Sequence, residues 1–258
     1  MKRVLFIFLL VFLTISCKSP NYVKFLKSKL KIEHVFSIPS KAYGPGSVLL
    51  FTEESGYTRI CYPESVLNIT RDEYEKNSLN SFETPEIKNV SKQEIKISLS
   101  SEDKMKVGLE YSKITVCKIE MKNGKLYELI SKYPISKILK NLKSDDLSNK
   151  ADIEARLKSN PTGKAYLALT TYGYDIDFKI NVDNVWKSSA EIPQNVLKVI
   201  VPKVGIGISN FSEMTLSGKD IFVGFNGDPV AYSGTMEQIG KSLSINAAVV
   251  DVTELFKK

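Results

Sequence analysis

Near the middle of its C-terminal half the chain alternates with period two. Ile176, Phe178, Ile180 and Val182 are apolar, while Asp175, Asp177, Lys179, Asn181 and Asp183 between them are polar. Side chains on a strand point alternately to opposite faces, so this segment is a strand with one dry face and one wet face. A helix would scatter the same four apolar residues around its circumference. A sheet with one dry face needs a second layer to cover it, and the rest of the chain must supply both the neighbouring strands and that layer.

The neighbouring strands are readable. SVLLF (residues 47–51) and YTRIC (57–61) flank Glu53-Glu54-Ser55-Gly56, the composition of a hairpin. EIKISLS (94–100), KITVCKIEMK (113–122) and KLYELI (125–130) follow, and Asn123-Gly124 between the last two predicts a tight hairpin turn. Thr115, Cys117, Ile119 and Met121 share one face, which points Cys117 at the core. The C-terminal third reads as strands in KAYLALTTY (164–172), VLKVIVPKVGIGI (196–208), MTL (214–216), DIFVGF (220–225) and PVAY (229–232), with Asn226-Gly227 as a second hairpin turn. The tail opens as a helix near Thr235 and ends in the strand SINAAVVDV (244–252).

The covering layer is shorter. After Pro134, residues Ile135, Ile138, Leu139 and Leu142 form one apolar stripe; a second helix capped by Asp145 or Ser148 extends to about Lys158 and ends before the turn Asn160-Pro161-Thr162-Gly163. Tyr22, Phe25, Leu26 and Leu30 predict a short amphipathic helix. Residues 63–92 are polar with little periodicity and read as a long surface excursion with a helical turn near Arg71 to Lys76. The fold class is therefore α+β and β-rich, mostly antiparallel hairpins in two strand groups separated by a short helical segment. Residues 34–258 form the domain, with 34–130 and 164–258 as candidate subdomains and 131–163 as the helical connector.

The first residues, MKRVLFIFLLVFLTISC, have basic Lys2 and Arg3, an uncharged apolar stretch from Val4 to Ile15, small Ser16 and then Cys17. This is the layout of a secretory signal peptide over residues 1–16. At about twelve residues the apolar run falls short of the roughly 20 that a spanning helix needs. Cys17 directly after Ser16 resembles the lipobox of bacterial lipoproteins. The leucine of that motif, here Leu13, stands one place further from the cysteine, with Thr14 in its usual position. The resemblance covers the leader alone. It implies a Cys17 lipidated on sulfur and acylated on its amine, an exported protein anchored to a bacterial membrane, periplasmic or at the cell surface, with residues 17–33 as attachment site and short helix. Membrane lipid is then one partner, and an envelope protein or cell-wall component is the expected other.

Charge narrows the partners further. The whole chain carries +7, and loss of residues 1–16 removes two cations and no acid, leaving +5. Arginines are few (Arg3, Arg59, Arg71 and Arg156), so the cations are nearly all lysine, a hydrated point charge poorly suited to bidentate base or phosphate recognition. Export and lysine bias together argue against nucleic acid.

Catalytic chemistry finds little to stand on. His34, the single histidine, excludes any metal site that needs two. It lies at a helix-to-strand junction and reads as a structural histidine. No Gly-x-Ser-x-Gly elbow is present; Gly205-Ile206-Gly207 lacks the third glycine of a dinucleotide fingerprint, and Thr162-Gly163-Lys164 lacks the rest of a P-loop. Asp175, Asp177, Asn181 and Asp183 gather oxygen ligands, but Lys179 and Ile180 break a calcium-loop pattern. We therefore assign no catalytic, cofactor or metal residues and no cofactor, and expect a non-catalytic binding or interaction domain. The alternatives are a membrane-active protein, since residues 174–183 have the length of a transmembrane β-strand, and a hydrolase using carboxylates from different strands. Two features remain as sites. Cys61 and Cys117 form a candidate disulfide, whose 56-residue separation would confer roughly 4 kcal/mol in the chain-entropy account. Tyr43-Gly44-Pro45-Gly46 is a candidate ligand loop, with the bland alternative of a tight turn before a strand.

Overall fold

A computed structural model describes residues 22–83, 91–144, 150–189, 191–204, 217–231 and 248–256. The leader, Cys17, the caps at Asp145 and Ser148, the Gly205-Ile206-Gly207 string, the MTL segment and the helical start of the tail lie outside the described residues.

The fold is α+β, β-rich and mostly antiparallel. Helix α1 (Tyr22–Lys29) leads into β1 (His34–Ser40), then β2 (Val48–Thr52) and β3 (Gly56–Cys61), which pair as the expected hairpin. Next come α2 (Pro63–Leu67), α3 (Arg71–Asn77), β4 (Leu79–Phe82), β5 (Ser91–Lys96), α4 (Ser101–Val107) and the long β6 (Val116–Leu129). Helices α5 (Ile135–Lys143) and α6 (Lys150–Ser159) precede β7 (Lys164–Ala168), β8 (Thr170–Val182) and β9 (Val185–Ser188). The chain then passes through α7 (Gln194–Lys203), β10 (Gly218–Phe225), β11 (Val230–Ala231) and β12 (Val249–Asp251).

One sheet carries these strands in the order β11-β12-β7-β2-β3-β1-β10-β8-β6-β4, with β5 also on β6 and β9 also on β8. Strands from the two halves of the chain alternate across it: β1 pairs with β10, β2 with β7, and β6 with β8. The period-two argument explains the layering. Tyr174, Ile176, Phe178, Ile180 and Val182 of β8 enter a core with Cys117, Ile119 and Met121 of β6, closed by Phe25 and Leu26 of α1 and Val196, Ile200 and Val201 of α7. In the other half, Val48 and Leu50 of β2 and Ala165 and Leu167 of β7 pack under Val66 of α2, Leu139 and Leu142 of α5, and Leu157 of α6. The opposite faces of these strands feed a third, aromatic-rich cluster that includes Phe36, Tyr43, Tyr57, Tyr127 and Phe222.

Several expectations are corrected. Asn123-Gly124 is no hairpin turn, because β6 runs straight through it. Between Lys122 and Lys125 the strand takes one more residue than β8 does between Asp175 and Gly173, which is a β-bulge. Asn123 adopts the left-handed φ of 52° that asparagine tolerates, and its amide reaches across to Asp175 Oδ2 at 2.7 Å. Asn226-Gly227 closes no hairpin either: β10 pairs with β1 and β8, while β11 joins β12 in parallel. Asn226 instead accepts from Glu33 N (2.8 Å) and donates to Lys31 O (3.1 Å), tying β10 to the start of β1. The stretch read as a strand over residues 196–208 is helical through Lys203, its β-branched residues burying one face at Val196, Ile200 and Val201. The described part of residues 63–92 is not one surface excursion, and the helical turn expected near Arg71 to Lys76 is α3. Pro63 opens α2, Asn68 ends it in the left-handed region, and the Thr70 hydroxyl accepts from Glu73 N to cap α3. Ser100 ends no strand but forms a capping box with Asp103 at the start of α4.

Candidate functional site

The candidate ligand loop is filled. Tyr43, Gly44, Pro45 and Gly46 are all buried. Tyr74 Oη donates to Pro45 O at 2.9 Å, Gly46 N donates to Ala168 O at 2.7 Å, and Ser47 Oγ donates to Gly44 O at 2.8 Å. A Cβ at Gly44 would stand 2.1 Å from Tyr74 Oη and 2.7 Å from Phe222, so glycine is there because two aromatic side chains occupy the space. This loop is a packed turn leading into β2 and offers no room to a ligand.

The candidate disulfide is not formed, which corrects that expectation. Cys61 and Cys117 are not bridged to each other, and both are fully buried in different clusters: Cys61 beside Val48 and Ile60, Cys117 beside Ile119 and Ile180. Burial holds the Cys117 thiol well above the usual cysteine range, so it stays a protonated, apolar core group.

His34 opens β1 and sits among aromatic rings. Its imidazole stacks on Phe225 with ring centres 4.7 Å apart, and Nδ1 lies 3.2 Å from Tyr57 Oη. Burial lowers the His34 pKa below its ordinary value and raises that of Tyr57 to about 12, so both groups are held neutral. Of the residues considered for calcium, the three aspartates have separate partners: Asp175 accepts from Asn123 and from Asp220 N (3.3 Å), Asp177 pairs with Lys179 (3.1 Å), and Asp183 pairs with Lys113 (3.3 Å), while the buried Asn181 Oδ1 has none among the described residues. Among the described residues no group of three or more His, Cys, Asp or Glu is placed to hold a metal ion. Asp220 also accepts from Tyr127 Oη, and Tyr127 lies across Gly173, where a Cβ would meet its ring at 2.7 Å. Burial and the Asp220 carboxylate push the Tyr127 pKa up, making it a locked structural phenol.

Space opens elsewhere, at the seam between the two helix-covered cores. A cleft of about 610 Å³ lies where the ends of β6 and β8 meet the start of α5. Leu126 and Tyr172, cross-strand partners that pack against the first core, form one wall. Leu129, Tyr133, Ile135, Ile138 and Leu169 from the second core form the other. Thr170, Asn226 and Glu128 are its polar members. The α5 wall exists because Ile135 and Ile138 begin the apolar stripe while Pro134 fixes the start of the helix. Tyr133 is anchored, its hydroxyl lying 3.3 Å from Ser78 Oγ and donating to Glu73 Oε1 at 3.2 Å.

Sequence reading missed this cleft. Its residues come from a strand end, a helix start and a strand junction, so no local motif marks them. One signal was present: in KLYELI the apolar residues Leu126, Tyr127 and Leu129 fall on both faces, and Glu128 stands among them.

No protein-family model matches the chain, and no curated protein does. Among solved structures, a bacterial gasdermin from Bradyrhizobium tropiciagri aligns over 92% of this chain and 92% of that chain, with 8% identity and a TM-score of 0.31. A likeness that slight carries no argument about activity, which rests on the residues of the chain itself.

Proposed function

We propose that this chain is a lipid-anchored bacterial cell-envelope protein whose β-rich domain works by binding rather than by catalysis. The cleft carries the binding half of the reading: its volume falls within the range of small-molecule sites, and leucine, isoleucine and tyrosine side chains share its walls with the polar groups of Glu128, Thr170 and Asn226. The anchor half rests on Lys2, Arg3, the apolar stretch and Cys17.

Each half has its test. Cys17→Ala is expected to release the protein from membranes, and mass spectrometry of the wild type is expected to find acyl chains on Cys17. A variant that still fractionates with membranes, together with a wild type free of lipid, removes the anchor. For the cleft, the neutral apolar dye Nile red is expected to brighten with the whole protein and to lose most of that signal with Ile135→Glu, which places a charge on the α5 wall. A wild type that leaves the dye dark overturns the binding reading.

The lengths of β6 and β8, 14 and 13 residues, favour a second reading, a membrane-active protein, because a strand of about 10 residues reaches across a bilayer. Dye release from liposomes by the purified protein separates it from the first; intact liposomes over a wide concentration range dismiss it.

A further inference from the structure

Among the described residues lining the cleft, Glu128 is the one that is charged, and it is half-buried. It stands on β6 between Asn80 of β4 and Thr170 of β8 in the strand registers. Its carboxylate makes no hydrogen bond or ion pair among the described residues. Several other carboxylates are matched by a cation: Glu73 with Lys132, Asp103 with Lys203, Glu110 with Lys187, and Asp152 with Arg156. The chain is rich in lysine, yet among the described residues none forms an ion pair with Glu128. The nearby cations are directed elsewhere, Lys132 to Glu73 and, with Lys137, toward the Tyr133 ring at 5.4 and 5.9 Å. The Asn226 amide is spent on Lys31 and Glu33. The uncommitted charge in the cleft is therefore negative, beside leucine side chains and two tyrosine rings.

A carboxylate partly withdrawn from water loses hydration that a cation restores, and an ammonium group gains further from aromatic faces. We propose that the cleft is a site for a small amphiphile with an ammonium head, its alkyl chain along the walls of Leu126, Leu129 and Ile138 and its head against Glu128. The inference rests on the binding reading above and names its ligand class. An anionic head of the same size would face the unpaired carboxylate and be rejected.

Titration calorimetry with the whole protein tests it, using hexyltrimethylammonium and hexyl sulfate as probes with equal chains. The ammonium is expected to bind at least about tenfold more tightly. In Glu128→Gln the two affinities are expected to converge to within about twofold, while Nile red still brightens, which shows that the variant is folded and its cleft intact. Equal affinities in the wild type, a preference that survives Glu128→Gln, or no binding of the ammonium overturns the inference. If the dye binds without any charge preference, this inference falls and the binding reading stands. If the dye does not bind, both fall.

Discussion

The turn at residues 43–46 and the cleft beside Glu128 are built from similar materials, tyrosine, aliphatic side chains and a few polar atoms, and they end in opposite states. In the turn the residues are buried and the space around Gly44 is taken. Tyr74 and Phe222 press on Gly44, and the carbonyls of Gly44 and Pro45 each accept a hydrogen bond. In the cleft the walls stand apart over about 610 Å³, and a carboxylate is left without a partner among the described residues. Close packing with satisfied polar groups is what stability selects. An open space with an unspent charge is what binding needs, so the difference puts the proposed binding site at the seam between cores and not at the most distinctive string of residues.

Substitutions can break or sharpen that contrast. Gly44→Ala has the largest expected effect, a destabilisation of about 3 kcal/mol in urea unfolding, because its methyl would collide with two buried rings. Tyr74→Phe is expected to cost about 1 kcal/mol through the lost bond to Pro45 O. It also removes the nearest colliding atom, so the double variant should be less destabilised than the sum of the two. Strict additivity would mean that the turn is not as tightly filled as described. Glu128→Leu should lie within about 0.5 kcal/mol of the wild type, or be more stable, since it removes a half-buried charge that has no partner to lose. A loss comparable to Gly44→Ala would place Glu128 in the packing of the fold.

The smallest expected effect is a pH dependence at His34. Burial lowers its folded-state pKa against the charges of Glu33 and Asp228, with Lys27 acting in the same direction as burial. The unfolded chain therefore takes up the proton more readily. The resulting stability is fully present above the ordinary histidine value of about 6.5 and is lost as pH falls below it. Unfolding midpoints measured from about pH 7.5 down to about 5.5 should decline for the wild type and stay flatter for His34→Gln. That window lies above the titration of Asp103, which Lys203 and Ser100 hold down to about 2.

The strands with one dry face were legible because alternation survives any choice of neighbours: β8, β2, β3 and β10 follow from their own residues. Apart from the β2–β3 hairpin, pairing was not legible, since the register that joins β1 to β10 or β2 to β7 depends on contacts far apart in the chain. Asn123-Gly124 misled because the same left-handed freedom that closes a hairpin also relaxes a bulge. Residues 196–203 misled because a short apolar run fits a buried helix as well as a strand. The cleft was invisible for the same reason as the pairing. Leu126 and Tyr172 meet only through the β6 and β8 register, and Ile135 meets them only through the docking of α5.

Methyl NMR of the whole protein during titration with hexyltrimethylammonium tests the account most directly. The predicted result is chemical-shift change concentrated at the methyls of Leu126, Leu129, Ile135, Ile138 and Leu169, with Leu49 and Ile119 in the filled cores unmoved. Shifts confined to the exposed side chains Leu109 and Val185, or none at the cleft methyls at saturating ligand, would contradict it.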